Sequence, residues 1–224
     1  MPADPPEPDP LGRASPTCLL ADEDGPDGRD QTAVAAWRGR ERARLRAERL
    51  ALPLEARARV AEALAGHLDR LLAREVPEVR GRVVSGYWPI KGEPDLRGWL
   101  GALHGRGAVV ALPVVETPGA PLAFRRWEPG MALERGHWNI PVPPASAGRV
   151  VPEVALAPLV GWDMEGFRLG YGGGYFDRTL AALEPRPFVI GVGVQSARLE
   201  TIYPQPHDVP MAVVVTEAGV QVTR

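Results

Sequence analysis

The chain has 224 residues, of which 45% are hydrophobic and 24% charged, and its formal net charge is −2. This length suits one compact core, and the near-neutral charge gives no basic footprint for nucleic acid. No apolar run reaches the roughly 18 residues that a membrane helix needs, and the acidic, proline-rich N-terminus is unlike a secretory signal. The one cysteine, Cys18, excludes an internal disulfide framework. We therefore expect a cytoplasmic monomer that binds neither nucleic acid nor membrane.

The N-terminal part of the chain divides into a tail and two helices. Residues 1–30 are dense in Pro, Asp, Glu and Gly and lack hydrophobic periodicity, which predicts a mobile tail. The apolar residues of Thr32–Leu52, and then those from about Pro53 to Arg74, have the spacing of helices. We expect residues 31–224 to form a single domain.

Beyond Pro77 short apolar runs alternate with helical patterns. The predicted strands are GRVVSGYW, AVVALPVV, PLAFRRW, VALAPLVGW, PFVIGVGV, AVVVTE and VQVT, and the predicted helices are DLRGWLGALHGRG and YFDRTLAALE. Continuously apolar strands such as PFVIGVGV are typical of a sheet covered on both faces by helices. The predicted fold is therefore a three-layer α/β/α architecture with a mostly parallel central sheet, preceded by the helical N-terminal segment.

The glycine-rich segment APLVGWDMEGFRLGYGGGYFDRTL is the most informative part of the sequence. Four glycines within five residues lie between a predicted buried strand and a helix. Such a loop presents converging backbone N–H groups to an anion at a helix N-terminus, and a side chain at Gly172 or Gly173 would obstruct positive φ angles and phosphate approach. A plain strand-to-helix crossover would need the same glycines. The loop matches neither of the common nucleotide-binding motifs.

Charged residues flanking this loop favour a phosphate site. Arg168 could pair bidentately with phosphate oxygens, and Asp177 could hold a phosphate-bridging Mg²⁺. Asp177 could equally cap the helix. Asp208, in the turn QPHDVP, could supply a second carboxylate or only begin that turn.

A second group of residues suits a flat heteroaromatic ligand. In SGYWPIKGEPDLR a predicted strand ends on Tyr87 and Trp88, and Glu93 follows. Rings stack on such a ligand while a carboxylate accepts hydrogen bonds from its N–H groups. Trp88 could also be a core aromatic. Trp138, in HWNIP, could form another wall of the same pocket.

The first predicted helix is rich in arginine. Most of these side chains interleave with glutamates and are expected to be solvated, as on an ordinary charged face. Arg38 and Arg42 are one helical turn apart and could together clamp a triphosphate.

Taken together, these motifs resemble the 5-formyltetrahydrofolate cyclo-ligase family from Trp37 to Glu217. RLGYGGGYFDR is similar to the family's signature, and YWPIKGEPDLR, WNIP and PHDVP followed by VVVTE occur in the family's order. The resemblance implies an α/β fold, ATP and Mg²⁺ as cofactors, and 5-formyltetrahydrofolate as substrate.

The same resemblance assigns roles to individual residues. ATP would be bound by Arg38, Arg42, Arg168, Leu169, Gly170, Tyr171, Gly172, Gly173, Gly174 and Tyr175. Asp177 and Asp208 would bind Mg²⁺. Trp88, Glu93, Trp138 and Tyr171 would bind the folate, and Arg168 and Tyr171 would lie near the reacting atoms as catalytic residues.

Two alternatives remain open at this point. Ala212 stands where the family often has an acidic residue, and the first helix departs from the family's pattern, which permits a paralogue with another substrate or a regulatory role. A folate-binding protein without turnover is the other alternative.

Overall fold

The computed structural model describes residues 25–224. Cys18 and most of the predicted tail lie outside the described residues. Residues 25–30 form no helix or strand. Asp30 caps the first helix, because its carboxylate accepts hydrogen bonds from the backbone N–H groups of Thr32 and Ala33.

Two long helices follow, α1 (Gln31–Ala51) and α2 (Leu54–Glu75), each within one residue of its predicted bounds. Pro53 separates them, as predicted. The buried side chains of α1 repeat at intervals of four, seven and four positions, which places them on one face of the helix. They are Val34, Arg38, Leu45 and Arg49. Two arginines therefore belong to the buried stripe of α1.

The remaining elements form the sheet and its coverings. The strands are β1 (Val83–Ser85), β2 (Val109–Val114), β3 (Ala123–Arg126), β4 (Glu134–Arg135), β5 (Pro141–Val142), β6 (Val154–Pro158), β7 (Gly161–Trp162), β8 (Arg168–Leu169), β9 (Phe188–Val192), β10 (Val213–Thr216) and β11 (Gly219–Thr223). Helix α3 (Arg97–Gly105) precedes β2, and α4 (Tyr175–Ala182) precedes β9.

The central sheet is mostly parallel, as predicted. Its seven strands have the order β11-β10-β9-β6-β1-β2-β3. The five inner strands are parallel, and the two edge strands, β11 and β3, pair antiparallel. The pairs β4–β5 and β7–β8 form two small separate sheets that were not predicted, because two-residue strands are too short to produce a hydrophobic period.

Helices cover both faces of the central sheet. Ile190 and Val192 pack in one hydrophobic cluster with leucines of α2 and α3. Their neighbour Val189 packs in a second cluster with Leu45 of α1 and Leu180 of α4. Successive residues of a strand point to opposite faces, so the two clusters lie on opposite sides of the sheet and the three-layer architecture is confirmed. No helix within residues 25–224 is both long and apolar enough to cross a membrane.

Candidate active site

A cleft of about 220 Å³ opens at the edge of the sheet where β1, β2 and β6 end. The glycine loop before α4 forms another of its walls. The carboxyl ends of parallel strands are the usual ligand edge of an open α/β sheet. β1 ends at Ser85, earlier than predicted, so Tyr87 and Trp88 lie in the loop that follows the strand. The cleft gathers Arg38, Arg42, Trp88, Glu93, Trp138, Arg168, Gly170, Tyr171, Gly172, Gly173, Gly174, Tyr175, Asp177 and Asp208.

Leu169 is the one predicted site residue that does not line the cleft. It lies in β8 with a side chain only 1% exposed, packed in the core with Trp162 and Leu180. A strand that leads into the loop alternates its side chains, and this one faces the core. The side chain of Leu169 therefore does not face a nucleotide in the cleft, and the prediction is corrected on this point.

The glycine loop has the backbone conformation that an anion site requires. Gly172 and Gly174 have positive φ angles of 96° and 62°. Gly173 does not, so the positive φ predicted for this position is wrong. A β-carbon on Gly173 would instead lie 2.9 Å from Cδ2 of Tyr175. Within residues 25–224 no acceptor binds the N–H groups of Gly172, Gly173 and Gly174, which leaves them available to a ligand.

Arg42 joins α1 to this loop. Its Nε donates a 2.7 Å hydrogen bond to the carbonyl oxygen of Gly170. Burial, and then repulsion from Arg38, lower the pKa of Arg42. Its two Nη groups have no hydrogen-bond acceptor in the described part of the chain. A half-buried cation with free donors beside unpaired N–H groups favours an anionic ligand.

Arg38 has fewer donors to offer than predicted. Its Nε donates to the carbonyl of Ile202, and its Nη2 donates to the carbonyl of Tyr203 and to Asp208 at 2.5 Å. Nη1 also donates to Asp208, at 3.3 Å. A guanidinium has five N–H donors, so one remains. Arg38 mainly fixes the segment that carries Asp208.

Arg168 and Asp177 form a bidentate ion pair with two 3.0 Å hydrogen bonds. The backbone N–H of Val209 also donates to Asp177. Asp177 lies in the first turn of α4, but the capping residue of that helix is Gly174, which makes no side-chain capping bond. Asp177 is therefore not the helix cap, and the capping alternative is wrong.

Both predicted metal-binding carboxylates keep capacity for one further contact. Asp177 accepts three hydrogen bonds and so does Asp208, which binds Arg38 twice and the backbone N–H of Gln205 once. A carboxylate has about four acceptor positions. Burial would raise the pKa of Asp208, but the hydrogen bonds from Arg38 and Gln205 lower it below its ordinary value. Among residues 25–224 no three His, Cys, Asp or Glu side chains gather to hold a metal without help.

Glu93 is a buried carboxylate with one unused oxygen. It is 6% exposed, so Glu93 is not a solvated loop residue. Oε2 accepts a 2.9 Å hydrogen bond from the N–H of Ile90, whereas Oε1 is buried and has no partner within residues 25–224. Burial raises the pKa of Glu93 to about 7, opposed by the Ile90 N–H, the charge of Arg49 and the neighbouring Tyr171 hydroxyl, which does not have hydrogen-bond geometry to Oε1. An unpartnered buried oxygen calls for a donor from a ligand.

Aromatic side chains enclose this carboxylate and the glycine loop. Trp88 is half-buried, with the guanidinium of Arg97 4.7 Å from its ring centre. Trp138 is 58% exposed and has a positive φ of 55°. Its ring lies edge-on to Tyr175, with ring centres 5.9 Å apart. Both tryptophans are thus on the cleft wall, where they were predicted.

Sequence reasoning missed Arg49, one of the arginines of the first helix for which it proposed no role. Its side chain is 4% exposed and donates to the Tyr171 hydroxyl at 2.6 Å and to the carbonyls of Lys91 and Leu159 at 3.2 Å. The signal was available, because Arg49 recurs on the same stripe as Val34 and Leu45.

Burial, followed by the charge of Glu93, raises the pKa of Tyr171, so its phenol stays protonated.

The fold and the cleft define a three-layer α/β protein whose site combines an anion-binding glycine loop with a buried carboxylate between aromatic rings. Residues 34–217 match the model of the 5-formyltetrahydrofolate cyclo-ligase family. The chain belongs to this family and is therefore a ligase.

Individual relatives agree with this assignment. A 5-formyltetrahydrofolate cyclo-ligase of Mycolicibacterium smegmatis is 36% identical over 176 residues, which are 75% of this chain and 87% of that protein. The enzyme of the same name from Escherichia coli K12 is 30% identical over 64% of this chain and 82% of its own length. The structure of Aquifex aeolicus 5,10-methenyltetrahydrofolate synthetase has a TM-score of 0.68 at 29% identity, covering 82% of this chain and 91% of that one.

Proposed function

We propose that the chain converts 5-formyltetrahydrofolate to 5,10-methenyltetrahydrofolate, consuming ATP with Mg²⁺ and releasing ADP and phosphate. The observation that carries this proposal is the unpartnered Oε1 of Glu93, buried in the same cleft as the free N–H groups of the glycine loop. A pterin ring has N–H donors for that oxygen, and a phosphate has acceptors for the loop.

The residues present fit both cofactors. The N–H groups of Gly172, Gly173 and Gly174 and the free donors of Arg42 suit phosphate oxygens. Mg²⁺ prefers one or two carboxylates together with substrate phosphates. Asp177 and Asp208 each retain about one acceptor position for it.

The chemistry needs positioning more than a protein nucleophile. The oxygen of an N-formyl group is a poor leaving group, and ATP, when bound, supplies the phosphoryl group that makes it a good one. N10 of the folate can then close the ring and expel phosphate. Glu93 and the two tryptophans would hold the pterin, while Arg168 and Arg42 would stabilise charge on the transferring group, as is general in phosphoryl transfer. Tyr171, a protonated phenol beside the loop, could donate to the activated oxygen.

An absorbance assay together with binding calorimetry separates this proposal from its alternatives. Purified protein, 5-formyltetrahydrofolate and MgATP should give the ultraviolet absorbance of methenyltetrahydrofolate, and omitting either ATP or Mg²⁺ should abolish it. Calorimetric folate binding without product would favour a folate-binding protein. Nucleotide binding without folate binding would favour a paralogue with another substrate.

A further inference from the structure

The turn between β7 and β8 contains a buried carboxylate that the proposed chemistry does not use. Asp163 is only 1% exposed, and burial raises the pKa of its side chain. A buried carboxylate needs hydrogen-bond donors to offset the loss of water. Asp163 accepts three such bonds, and all three come from backbone N–H groups. Its two oxygens therefore fix the course of the main chain around them.

One oxygen of Asp163 shapes the turn that leads into β8. Oδ1 accepts hydrogen bonds from the N–H groups of Glu165 and Phe167, at 3.1 and 3.0 Å. The backbone N–H of Asp163 also donates to the carbonyl oxygen of Phe167. β8 begins with the next residue, Arg168, which forms the ion pair with Asp177. This oxygen therefore supports the segment that holds the first candidate metal ligand.

The other oxygen fixes the beginning of the loop 202–211, which carries Asp208. Oδ2 accepts a 3.0 Å hydrogen bond from the N–H of Ile202. The carbonyl oxygen of Ile202 accepts a 2.9 Å hydrogen bond from Nε of Arg38, and the same guanidinium binds Asp208. Because both polar groups of this fully buried residue are held, the loop begins at one fixed point.

The same turn also holds the far end of this loop. The carbonyl oxygen of Gly166 accepts a 2.8 Å hydrogen bond from the N–H of Met211. Gly166 has a positive φ of 80°, and a β-carbon on it would lie 3.2 Å from the carbonyl oxygen of Met211. This conformation and this close approach both favour glycine. The loop that carries Asp208 is therefore anchored at both ends on the turn that contains Asp163.

We propose that Asp163 is a positioning residue that sets the separation of Asp177 and Asp208, and thereby the affinity of the site for Mg²⁺ bound together with ATP. This inference rests on the proposed function. Metal ligands depend on the groups that orient them, and Mg²⁺ tolerates little departure from its preferred geometry. Asp163 acts on Asp177 through the start of β8, and on Asp208 through the loop that it anchors.

Asp163→Asn tests this link selectively. An amide has one acceptor oxygen, so keeping both hydrogen bonds of the turn leaves its NH₂ group facing the N–H of Ile202. Calorimetry without folate, and therefore without turnover, measures the affinity for ATP in Mg²⁺ and in EDTA. The affinity in Mg²⁺ should fall about tenfold. The affinity in EDTA should be unchanged, because the glycine loop is untouched.

Glu217→Gln is the matched control. The carboxylate of Glu217 also accepts hydrogen bonds from a backbone N–H, that of Gln195, but it lies in the turn between β10 and β11. The control should lower the free energy of unfolding without changing either affinity for ATP. Equal losses of affinity in Mg²⁺ and in EDTA, or a loss in Mg²⁺ that the control reproduces, would overturn the inference even if methenyltetrahydrofolate is formed.

A second variant disturbs the other end of the loop. Gly166→Ala should also weaken the binding of ATP in Mg²⁺ but not in EDTA. Gly81→Ala is its control, since Gly81 has a similar φ of 76° with open space around its β-position. If circular dichroism shows that Asp163→Asn does not fold, this pair decides the question. If no methenyltetrahydrofolate forms but the loss confined to Mg²⁺ is found, the proposed function fails and the role of Asp163 stands.

Discussion

Arg49 on α1 donates a 2.6 Å hydrogen bond from Nη2 to the hydroxyl of Tyr171 in the glycine loop. The same guanidinium binds the carbonyl oxygens of Lys91, in the loop after β1, and Leu159, which follows β6. One buried side chain therefore fixes three segments of the cleft relative to each other. We interpret Arg49 as a positioning residue for Tyr171.

Arg49→Lys should lower kcat about tenfold to a hundredfold, because a lysine ammonium cannot reach three acceptors that match a planar guanidinium. The free energy of unfolding should fall by about 1–3 kcal/mol as buried acceptors lose their partner. Steady-state kinetics and urea unfolding measure the two effects. Arg44→Lys, an exposed position on the same helix, is the matched control. A double-mutant cycle with Tyr171→Phe should show coupling, and additive effects would remove the positioning role.

Glu93→Gln should raise the Michaelis constant for 5-formyltetrahydrofolate about tenfold to a hundredfold, because a charge-assisted hydrogen bond contributes about 1.5–3 kcal/mol. The constant for ATP should barely change, since the glycine loop is untouched. Initial rates over both substrate concentrations give the two constants. An equal rise in both would indicate a folding defect, and no rise for the folate would contradict the role of Glu93 in the pterin site.

Glu93 should also make stability depend on pH. Its pKa is about 7 in the folded chain against a reference value of 4.5, so the folded state binds more protons between these values. The free energy of unfolding should therefore fall as pH rises from about 4.5 to 7 and then level off. The total change should be at most about 3 kcal/mol. Urea unfolding at several pH values should show Glu93→Gln gaining stability relative to the unmodified chain over this range. Parallel profiles for the two proteins would exclude the raised pKa.

Gly172→Ala should weaken ATP binding at least about tenfold, because a β-carbon opposes the φ of 96° and obstructs the approach of phosphate. Calorimetry measures the affinity, and circular dichroism confirms the fold. Gly81→Ala is the matched control, since Gly81 also has a positive φ, 76°, with open space around its β-position. It should cost stability without changing ATP affinity. Similar ATP affinities in the two variants would remove the phosphate site from this loop.

Asp177→Asn should depress turnover strongly and raise the Mg²⁺ concentration needed for half-maximal rate, because an amide is a weaker ligand than a carboxylate. The substitution also weakens the ion pair with Arg168, which by itself would lower kcat without shifting the Mg²⁺ dependence. Titration of Mg²⁺ at saturating ATP distinguishes the two effects. An unchanged Mg²⁺ midpoint would limit Asp177 to positioning Arg168.

The sequence by itself determined the layers of the fold and most of the cleft. Continuously apolar strands such as β9, which ends in Val192, need helices on both faces. The alternation of strands and helices along the chain predicted that the sheet is mostly parallel. Parallel strands end at one edge of a sheet, and the motifs around Trp88 and Gly172 that the sequence analysis singled out lie together at that edge. Local patterns sufficed for these features because hydrophobic period and turn chemistry are local properties.

Only the tertiary structure decided how the charged side chains are used. Sequence reasoning paired Arg38 with Arg42 as one phosphate clamp and did not single out Arg49, yet Arg38 holds Asp208, Arg42 keeps donors free, and Arg49 is buried against Tyr171. Their partners lie more than a hundred residues away along the chain. Whether a cation is solvated, paired or available to a ligand depends on desolvation and on which acceptors the folded chain brings within hydrogen-bonding distance, and neither is encoded in local sequence.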